Sequence, residues 1–256
     1  MRTVRLTLQY DGTRYQGWQV QRTGVTIQGL VQEALAATTG ERVTVIAAGR
    51  TDAGVHALEQ VAAFRSAAPL APEVFTAALN ARLPEDVRVM ESRIEREDFH
   101  PRFNAKGKVY AYLIAHERVL SPFLHRYAWR VTAGLDLEAM GQALAVLKGT
   151  HDFSSFRASG CGARNPVRTI TAVSLARHDR LEFMTMALRG DFMTIRIEGD
   201  AFLRHMVRNI VGTVVEVGKG RLSIADMENI LLARKRPLAG PAAPARGLFL
   251  ERVLYP

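Results

Sequence analysis

The sequence predicts an α+β fold made of two related units that share one sheet. In each half of the chain a strand comes first, a helix follows, and strands then return. The 256 residues are 48% hydrophobic, which is enough apolar material for a substantial core. No strict repeat or low-complexity segment interrupts this pattern.

In the first half, residues 4–10 alternate between apolar and polar side chains, which is typical of a strand. Apolar residues at helical spacing predict a first helix over residues 26–38. Apolar runs predict strands at residues 43–48 and 61–64. A second helix is predicted for residues 72–80.

The second half opens with an alternating strand at residues 109–114 and a helix over residues 136–148. A further helix begins near residue 202 and continues to about residue 217. We place the boundary between the halves so that they cover residues 1–105 and 106–256. The other predicted strands lie near residues 169–176, 181–187, 192–198 and 248–253. A stretch rich in Ala, Pro and Gly at residues 237–246 is predicted to cross the surface.

The chain is strongly basic, with 34 basic and 25 acidic residues, a net charge of +9 and an isoelectric point near 10.2. Most of the basic residues are arginines, whose guanidinium groups bind phosphate bidentately, so a polyanion is a natural partner. A genomic or thermal bias towards arginine is the competing explanation. Two groups lie in predicted loops, where solvated surface charge is the alternative: Arg102, Lys106 and Lys108, and then Arg157, Arg164 and Arg168.

One cysteine, Cys161, excludes an internal disulfide and favours a reducing compartment. The first residues lack the continuous apolar core of a signal peptide, and no stretch is long and apolar enough to span a bilayer. We therefore expect a cytoplasmic protein with no membrane association. The histidines show no metal-ligand spacing, and no glycine-rich phosphate loop is present, so we expect no metal and no organic cofactor.

The most informative segment is Gly-Arg-Thr-Asp-Ala-Gly-Val-His-Ala at residues 49–57, between two predicted strands. Loops between rigid elements often carry catalytic groups, so Asp52 is a candidate nucleophile. Arg50, two positions earlier, favours the ionised carboxylate. The alternative is a solvated turn in which Asp52 bonds its own backbone and Gly54 supplies a positive φ.

Two further segments carry candidate functional side chains. Arg204 and Arg208 lie four residues apart at the start of the predicted fourth helix, so they share a face of it beside an apolar stripe. A partly buried arginine requires an anion such as Asp52 or a phosphate. An ordinary basic surface of a helix is the alternative. Tyr110, on its strand with Tyr112, suits a platform for a nucleic-acid base, although core packing is the usual role of such tyrosines.

Together, these motifs resemble the TruA family of tRNA pseudouridine synthases over essentially the whole chain. Besides residues 49–57 and 202–209, the resemblance rests on residues 10–13, 17–19, 25–29, 98–103, 110–112, 151–156 and 247–248. It implies an α+β fold of two related ferredoxin-like halves that share a mixed, largely antiparallel sheet, with a central active-site cleft. It also implies a homodimer that binds tRNA.

The resemblance further implies an isomerase that needs no cofactor and converts uridine to pseudouridine at positions 38–40 of tRNA, in the anticodon stem and loop. By the same resemblance, Asp52 is the catalytic aspartate and Arg50 assists displacement of the target base. Tyr110 stacks on the uracil, Arg204 is the basic partner of the aspartate, and Leu248 lies beneath the nucleotide.

Three alternatives remain open from the residues. A catalytically silent RNA-binding protein would keep the basic surface, but it has no need of an ionised acid facing a phosphate-rich ligand. The same chemistry could act on another RNA or on other tRNA positions. An aspartate-dependent hydrolase is disfavoured because no paired general acid or metal site accompanies the motif.

Overall fold

The computed structural model describes residues 1–183 and 185–256. Within these described residues, ten strands form a mixed, largely antiparallel sheet with five α-helices, which confirms the predicted α+β class. Two compact units are present, one comprising Met1–Lys108 with Phe249–Pro256 and the other Val109–Leu248. We call them unit 1 and unit 2.

The elements follow one another along the chain in an order close to that predicted. The strands are β1 (Arg2–Tyr10), β2 (Ile46–Ala47), β3 (His56–Ser66), β4 (Val87–Glu95), β5 (Gly107–Ala115), β6 (Trp129–Arg130), β7 (Gly149–Asp152), β8 (Val167–Phe183), β9 (Met186–Gly199) and β10 (Leu248–Leu254). The helices are α1 (Ile27–Thr39), α2 (Pro72–Asn80), α3 (Leu137–Ala145), α4 (Met206–Gly218) and α5 (Ile224–Ala233).

In unit 1 the strand order is β4-β1-β3-β10, and β2 pairs with β3. Strand β1 is antiparallel to both neighbours, whereas β10 runs parallel to β3 with Phe249 opposite His56. The last strand was expected in the second half of the chain, but this pairing makes it part of unit 1. The strand predicted at residues 43–48 is also shorter than expected, because β2 comprises Ile46 and Ala47, which pair with β3.

The helices of unit 1 begin and end where their capping residues place them. The Thr26 hydroxyl accepts a hydrogen bond from the Gly29 backbone N–H, and Gly40 ends α1 in the left-handed conformation. The apolar face of α1 is fully buried, and in the same core Phe75 of α2 meets Phe64 of β3 edge-to-face at 5.5 Å. Burial of one face of each helix contributes to the core of unit 1.

In unit 2 the strand order is β5-β9-β8-β7, and β6 runs parallel to β5. Residues 169–176 and 192–198 form strands as predicted, within β8 and β9, which are longer than expected and pair antiparallel. The predicted strand at residues 181–187 includes position 184, which lies outside the described residues. Phe183 and Met186 are opposite each other in the antiparallel register of β8 and β9.

The fourth helix begins later than the sequence predicts. It starts at Met206, because His205 has the left-handed backbone angle φ 60° and breaks the helical path before it. Arg204 therefore lies outside the helix, and the expectation that Arg204 and Arg208 share a helical face is wrong. Downstream, α5 begins at a capping box formed by Ser223 and Asp226.

The stretch predicted to cross the surface does so, with half of its residues exposed, but it is also bound to α4. We call residues 236–247 the strap. The Gly240 N–H donates to the Thr213 hydroxyl at 3.0 Å, and Ala243 is fully buried. At Gly212 the helix approaches the strap so closely that a Cβ would lie 1.7 Å from the Pro241 carbonyl oxygen. Proline and glycine thus serve close backbone packing here rather than a loose crossing.

Candidate active site

Asp52 lies on a tight turn that leads directly into β3. The Val55 N–H donates to the Asp52 carbonyl oxygen at 3.1 Å, Gly54 has a positive φ of 75°, and β3 begins at His56. The Asp52 side chain is half-buried and Arg50 is exposed. The positive φ of Gly54 agrees with the turn predicted from the sequence. The same short segment carries both the Asp52 carboxylate and the Arg50 guanidinium.

The chain between β1 and α1 holds this turn from one side through its backbone. The Trp18 N–H donates to the Thr51 carbonyl oxygen at 3.0 Å, and the Gly54 N–H donates to that of Tyr15 at 3.3 Å. Gly17 lies between these two contacts, where an ideal Cβ would be 2.5 Å from the Thr51 oxygen and 2.9 Å from the Asp52 carbonyl carbon. The backbone of Asp52 is therefore in direct contact with residue 17.

A buried polar chain holds the turn from the other side. The hydroxyls of Tyr10 and Thr51 are 2.8 Å apart, and the Gln60 amide donates to the Tyr10 oxygen at 3.2 Å and to the Gly49 carbonyl at 2.9 Å. Burial raises the pKa of Tyr10 to about 12, although its hydrogen bonds to Thr51 and Gln60 partly oppose the shift. Tyr10 is therefore neutral at physiological pH and able to maintain the chain.

His56 completes the support at the start of β3. Its side chain is buried, and its Nδ1 lies 3.1 Å from both the Gly12 backbone nitrogen and an Asp11 carboxylate oxygen. Its ring stacks on Phe249 of β10 with ring centroids 4.8 Å apart. Sequence reasoning considered His56 only as a metal ligand, although its place inside the motif beside the Asp11-Gly12 pair was a signal of this structural role.

Lys108 adds a positive charge beside the same turn. Its side chain is buried, and its Cε lies 3.0 Å from the position that a Cβ on Gly49 would occupy. The sequence grouped Lys108 with loop residues that bind RNA. Lys108 is instead buried, and its side chain lies next to Gly49, the residue before Arg50.

In unit 2, Tyr110 is buried on β5 and meets the edge of Phe202 with ring centroids 5.0 Å apart. Phe202 belongs to the segment that also carries Arg204, so Tyr110 packs against the base of that segment. Tyr110 therefore packs in the core, as the simpler alternative predicts. This packing does not exclude a role as a platform for a base, because Phe202 and the candidate residue Arg204 belong to the same segment.

Arg204 is exposed and connected to the loop at residues 154–165. The Ala158 N–H donates to the Arg204 carbonyl oxygen at 3.0 Å, and a guanidinium nitrogen lies 3.9 Å from where a Cβ on Gly160 would be. The left-handed backbone of His205 turns the chain between this contact and α4. The segment therefore presents Arg204 away from the helix face on which it was predicted.

Arg208 is a clamp for the strap. Its Nε donates to the Ala243 carbonyl oxygen at 2.8 Å, and the Ala243 N–H donates back to the Arg208 carbonyl at 3.0 Å. Beyond this clamp, the Tyr112 hydroxyl donates to the Pro244 carbonyl at 2.7 Å. Leu248 follows at the end of the strap with its side chain buried.

The three loop arginines of unit 2 differ in their contacts. Arg164 is exposed, whereas Arg157 donates to the Ala163 carbonyl at 3.5 Å and Arg168 donates to the carbonyls of Asn165 and Val167. Arg157 and Arg168 therefore brace their own loop, and Arg164 offers its guanidinium to solvent.

We expect Arg164→Ala to weaken tRNA binding severalfold and to reduce the slope of log affinity against log salt by about one, because one phosphate contact disappears. Arg168→Ala is the matched control. It should mainly lower the unfolding temperature, because it removes two bonds to the backbone. Affinity measured over a salt series checks both, and an unaltered slope for Arg164→Ala would place that residue off the RNA.

The described residues, all but position 184, contain no group of three or more His, Cys, Asp or Glu side chains placed to hold a metal ion. That the protein needs neither metal nor cofactor stays a prediction. Within the same described part of the chain, no helix has the length and apolar character needed to cross a bilayer.

Comparison with known proteins decides the family. A model of the tRNA pseudouridine synthase family matches residues 7–104 and 143–256. The chain belongs to this family. The Asp52 turn and the Arg204 segment both lie within the residues matched. A tRNA pseudouridine synthase, such as this chain, isomerises uridine to pseudouridine in tRNA.

Relatives named tRNA pseudouridine synthase A match the synthase along its whole length. That of Myxococcus xanthus is 46% identical over 255 residues, covering 100% of this chain and 92% of the relative. Those of Acetivibrio thermocellus and Thermodesulfovibrio yellowstonii are 45% and 41% identical, with 100% of both chains covered. A tRNA substrate accounts for the strongly basic composition of this synthase.

Proposed function

We propose that Asp52 is the nucleophile of the isomerisation. The reaction breaks the bond between uracil N1 and ribose C1′ and forms a bond between C5 and C1′. N1 gains a proton and C5 loses one, so the conversion needs no oxidant, reductant or co-substrate. A carboxylate that adds to C1′ or to C6 of the base divides this exchange into two easier steps.

The observation that carries this proposal is the support of the Asp52 turn. Backbone bonds from Trp18 and to Tyr15 hold it on one side, and Gln60 and Tyr10 hold it on the other. A nucleophile fixed in this way loses little conformational freedom when it attacks, which lowers the barrier. Ordinary solvated turns need no such buried network.

We assign supporting roles to four further residues. Arg50 is exposed next to the nucleophile and suits displacement of the target base from its stack, which costs a few kcal/mol. Tyr110 stacks on the flipped uracil, and Leu248 supplies an apolar surface beneath the nucleotide. Arg204, which is exposed, is a cation suited to a phosphate of the RNA. Arg208 binds the strap, so we assign it the role of positioning the strap and not of contacting the RNA directly.

The substrate that we propose is the anticodon stem and loop of tRNA, at positions 38–40. An exposed Arg164 and a net charge of +9 suit recognition of RNA through its backbone and shape. The test is pseudouridine formation in unmodified tRNA transcripts, mapped by position, without added metal or cofactor. Product at positions 38–40 supports the assignment, and product confined to other positions would replace it.

We further propose that the enzyme is a cytoplasmic homodimer in which each chain folds as two related halves. A tRNA substrate, a single cysteine and a basic surface suit this arrangement. Light scattering at working concentration is expected to give twice the 28.3 kDa mass of one chain. A monomeric mass with full activity would exclude the dimer as the working form.

A further inference from the structure

An exposed aromatic stack lies in the loop between β4 and β5. Phe103 is 75% exposed, and its ring stacks on that of His100 with centroids 4.2 Å apart and planes 27° from parallel. The guanidinium carbon of Arg102 lies 5.8 Å from the centroid of the Phe103 ring. The outward face of a large aromatic ring is thus presented to solvent with a cation beside it.

The stack is held in place by the loop itself. Nδ1 of His100 accepts the backbone N–H groups of Arg102 and Phe103, each at 3.2 Å, so the neutral ring carries its proton on Nε2. The Asn104 side chain accepts the His100 backbone N–H at 2.6 Å, and the Asn104 N–H donates back to the His100 carbonyl. The orientation of both rings is therefore fixed before any ligand arrives.

The loop is also anchored to the core of unit 1. The Tyr255 hydroxyl donates to the Pro101 carbonyl at 2.6 Å, and the Lys106 N–H donates to that of Leu254 at 2.7 Å. Arg5, itself almost fully buried, places its guanidinium 4.7 Å from the centre of the Tyr255 ring. Burial raises the pKa of Tyr255, so its hydroxyl remains a donor. These contacts fix the loop that carries the exposed His100–Phe103 stack.

We propose that Phe103, backed by His100, is a stacking platform for an unpaired base of the tRNA, with Arg102 and Lys106 binding the adjacent phosphates. Every base offers a π face to a preformed aromatic surface, and nearby cations bind the backbone that carries it. Exposed side chains of Arg102 and Lys106 supply those cations. This site deepens the proposed function, since it rests on tRNA as the substrate.

The first test measures tRNA affinity and turnover for three substitutions. Phe103→Ala should raise the dissociation constant by about fivefold to a hundredfold, because one base loses its stacking partner. The rate at saturating tRNA should change little. Phe103→Tyr should keep the affinity, whereas Phe103→Leu should lose it, because an apolar side chain without a ring cannot stack. Leu232→Ala removes an apolar side chain that is 77% exposed on α5 and is the matched control.

The second test reads stacking directly. Phe103→Trp adds a fluorophore at the platform, and the wild-type protein supplies the signal of the two native tryptophans for subtraction. An unmodified tRNA transcript should quench the added fluorescence, because a base stacks on the indole. A blunt-ended RNA duplex should bind through the same positive charge without that quenching, since its bases are paired.

Several results would overturn the platform. The proposal would be wrong if Phe103→Ala left tRNA affinity unchanged or if Phe103→Leu kept full affinity. It would also be wrong if the duplex and tRNA quenched the added fluorescence equally. A switch from dimer to monomer in Phe103→Ala would make Phe103 an interface residue instead. These outcomes are separable from failure of the proposed function, because the position of pseudouridine formation by wild type and its dependence on Asp52 are measured without any change at Phe103.

Discussion

Replacement of Asp52 by asparagine is expected to reduce kcat for pseudouridine formation by at least about a thousandfold. The amide keeps the size and the turn but cannot donate an electron pair to carbon as a carboxylate does. Affinity for tRNA should be equal or higher, because one negative charge beside the RNA has been removed. Single-turnover rates and binding isotherms on one unmodified transcript measure both effects.

Asp98→Asn is the matched control for this charge effect. Asp98 also lies in unit 1, its side chain is 76% exposed, and its only role in the site would be electrostatic. It should raise affinity slightly and leave kcat unchanged. Normal turnover in Asp52→Asn would end the assignment of the nucleophile, whatever its effect on affinity.

Gly17→Ala is expected to damage both stability and catalysis although residue 17 does not carry out chemistry. Its φ of 87° costs an alanine roughly 1–2 kcal/mol. The added Cβ would also overlap the Thr51 oxygen and the Asp52 carbonyl carbon. We expect about 3 kcal/mol of destabilisation in total, a fall of roughly 6–12 °C in Tm, and about a hundredfold lower kcat as Asp52 is displaced.

Gly40→Ala separates the two causes. Gly40 has nearly the same φ, 73°, but a Cβ there would meet no atom within 4 Å. It should therefore cost about 1 kcal/mol of stability and leave kcat intact. If Gly17→Ala behaved like Gly40→Ala, the backbone contact at residue 17 would not position Asp52.

Elements set by local signals were predictable from the sequence. Helix α1 begins after Thr26 and α3 begins after Asp136, because these side chains accept hydrogen bonds from backbone N–H groups of the first helical turn. Helix α1 ends at Gly40, because this residue adopts the left-handed conformation. Strand β1 follows from the alternation of apolar and polar residues in the sequence, and β5 from its run of apolar and aromatic residues, although four consecutive residues are buried in each strand. Such signals act over a few residues and need no knowledge of the rest of the fold.

Features set by distant contacts were not predictable. The β8–β9 hairpin reads as three short strands, because pairing with a partner strand decides its continuity rather than local composition. The strap resembles a surface linker until the helix that it packs on is known. The start of α4 depends on the positive φ of His205, a conformation that is uncommon for a residue with a side chain.

The candidate site shows the same division. Asp52 and Arg50 stand out in the sequence because glycines flank a short segment of opposite charges. Gln60 does not, since it lies on β3 and meets the turn through its side-chain bond to the Gly49 carbonyl. His56 lies inside the motif, but its bond to the Gly12 backbone N–H depends on the fold. The motif can therefore be recognised in the sequence, whereas the hydrogen bonds that hold it in place can be identified only from the structure.

The parallel pairing of β10 with β3 has a consequence for synthesis of the protein. The ribosome makes all of unit 2 before it reaches the strand that completes unit 1. Until then the start of β3 lacks this neighbour and His56 lacks the ring of Phe249. The nascent chain thus carries Asp52 on an unfinished scaffold, and the turn that holds it gains its full support only after the second unit has been translated.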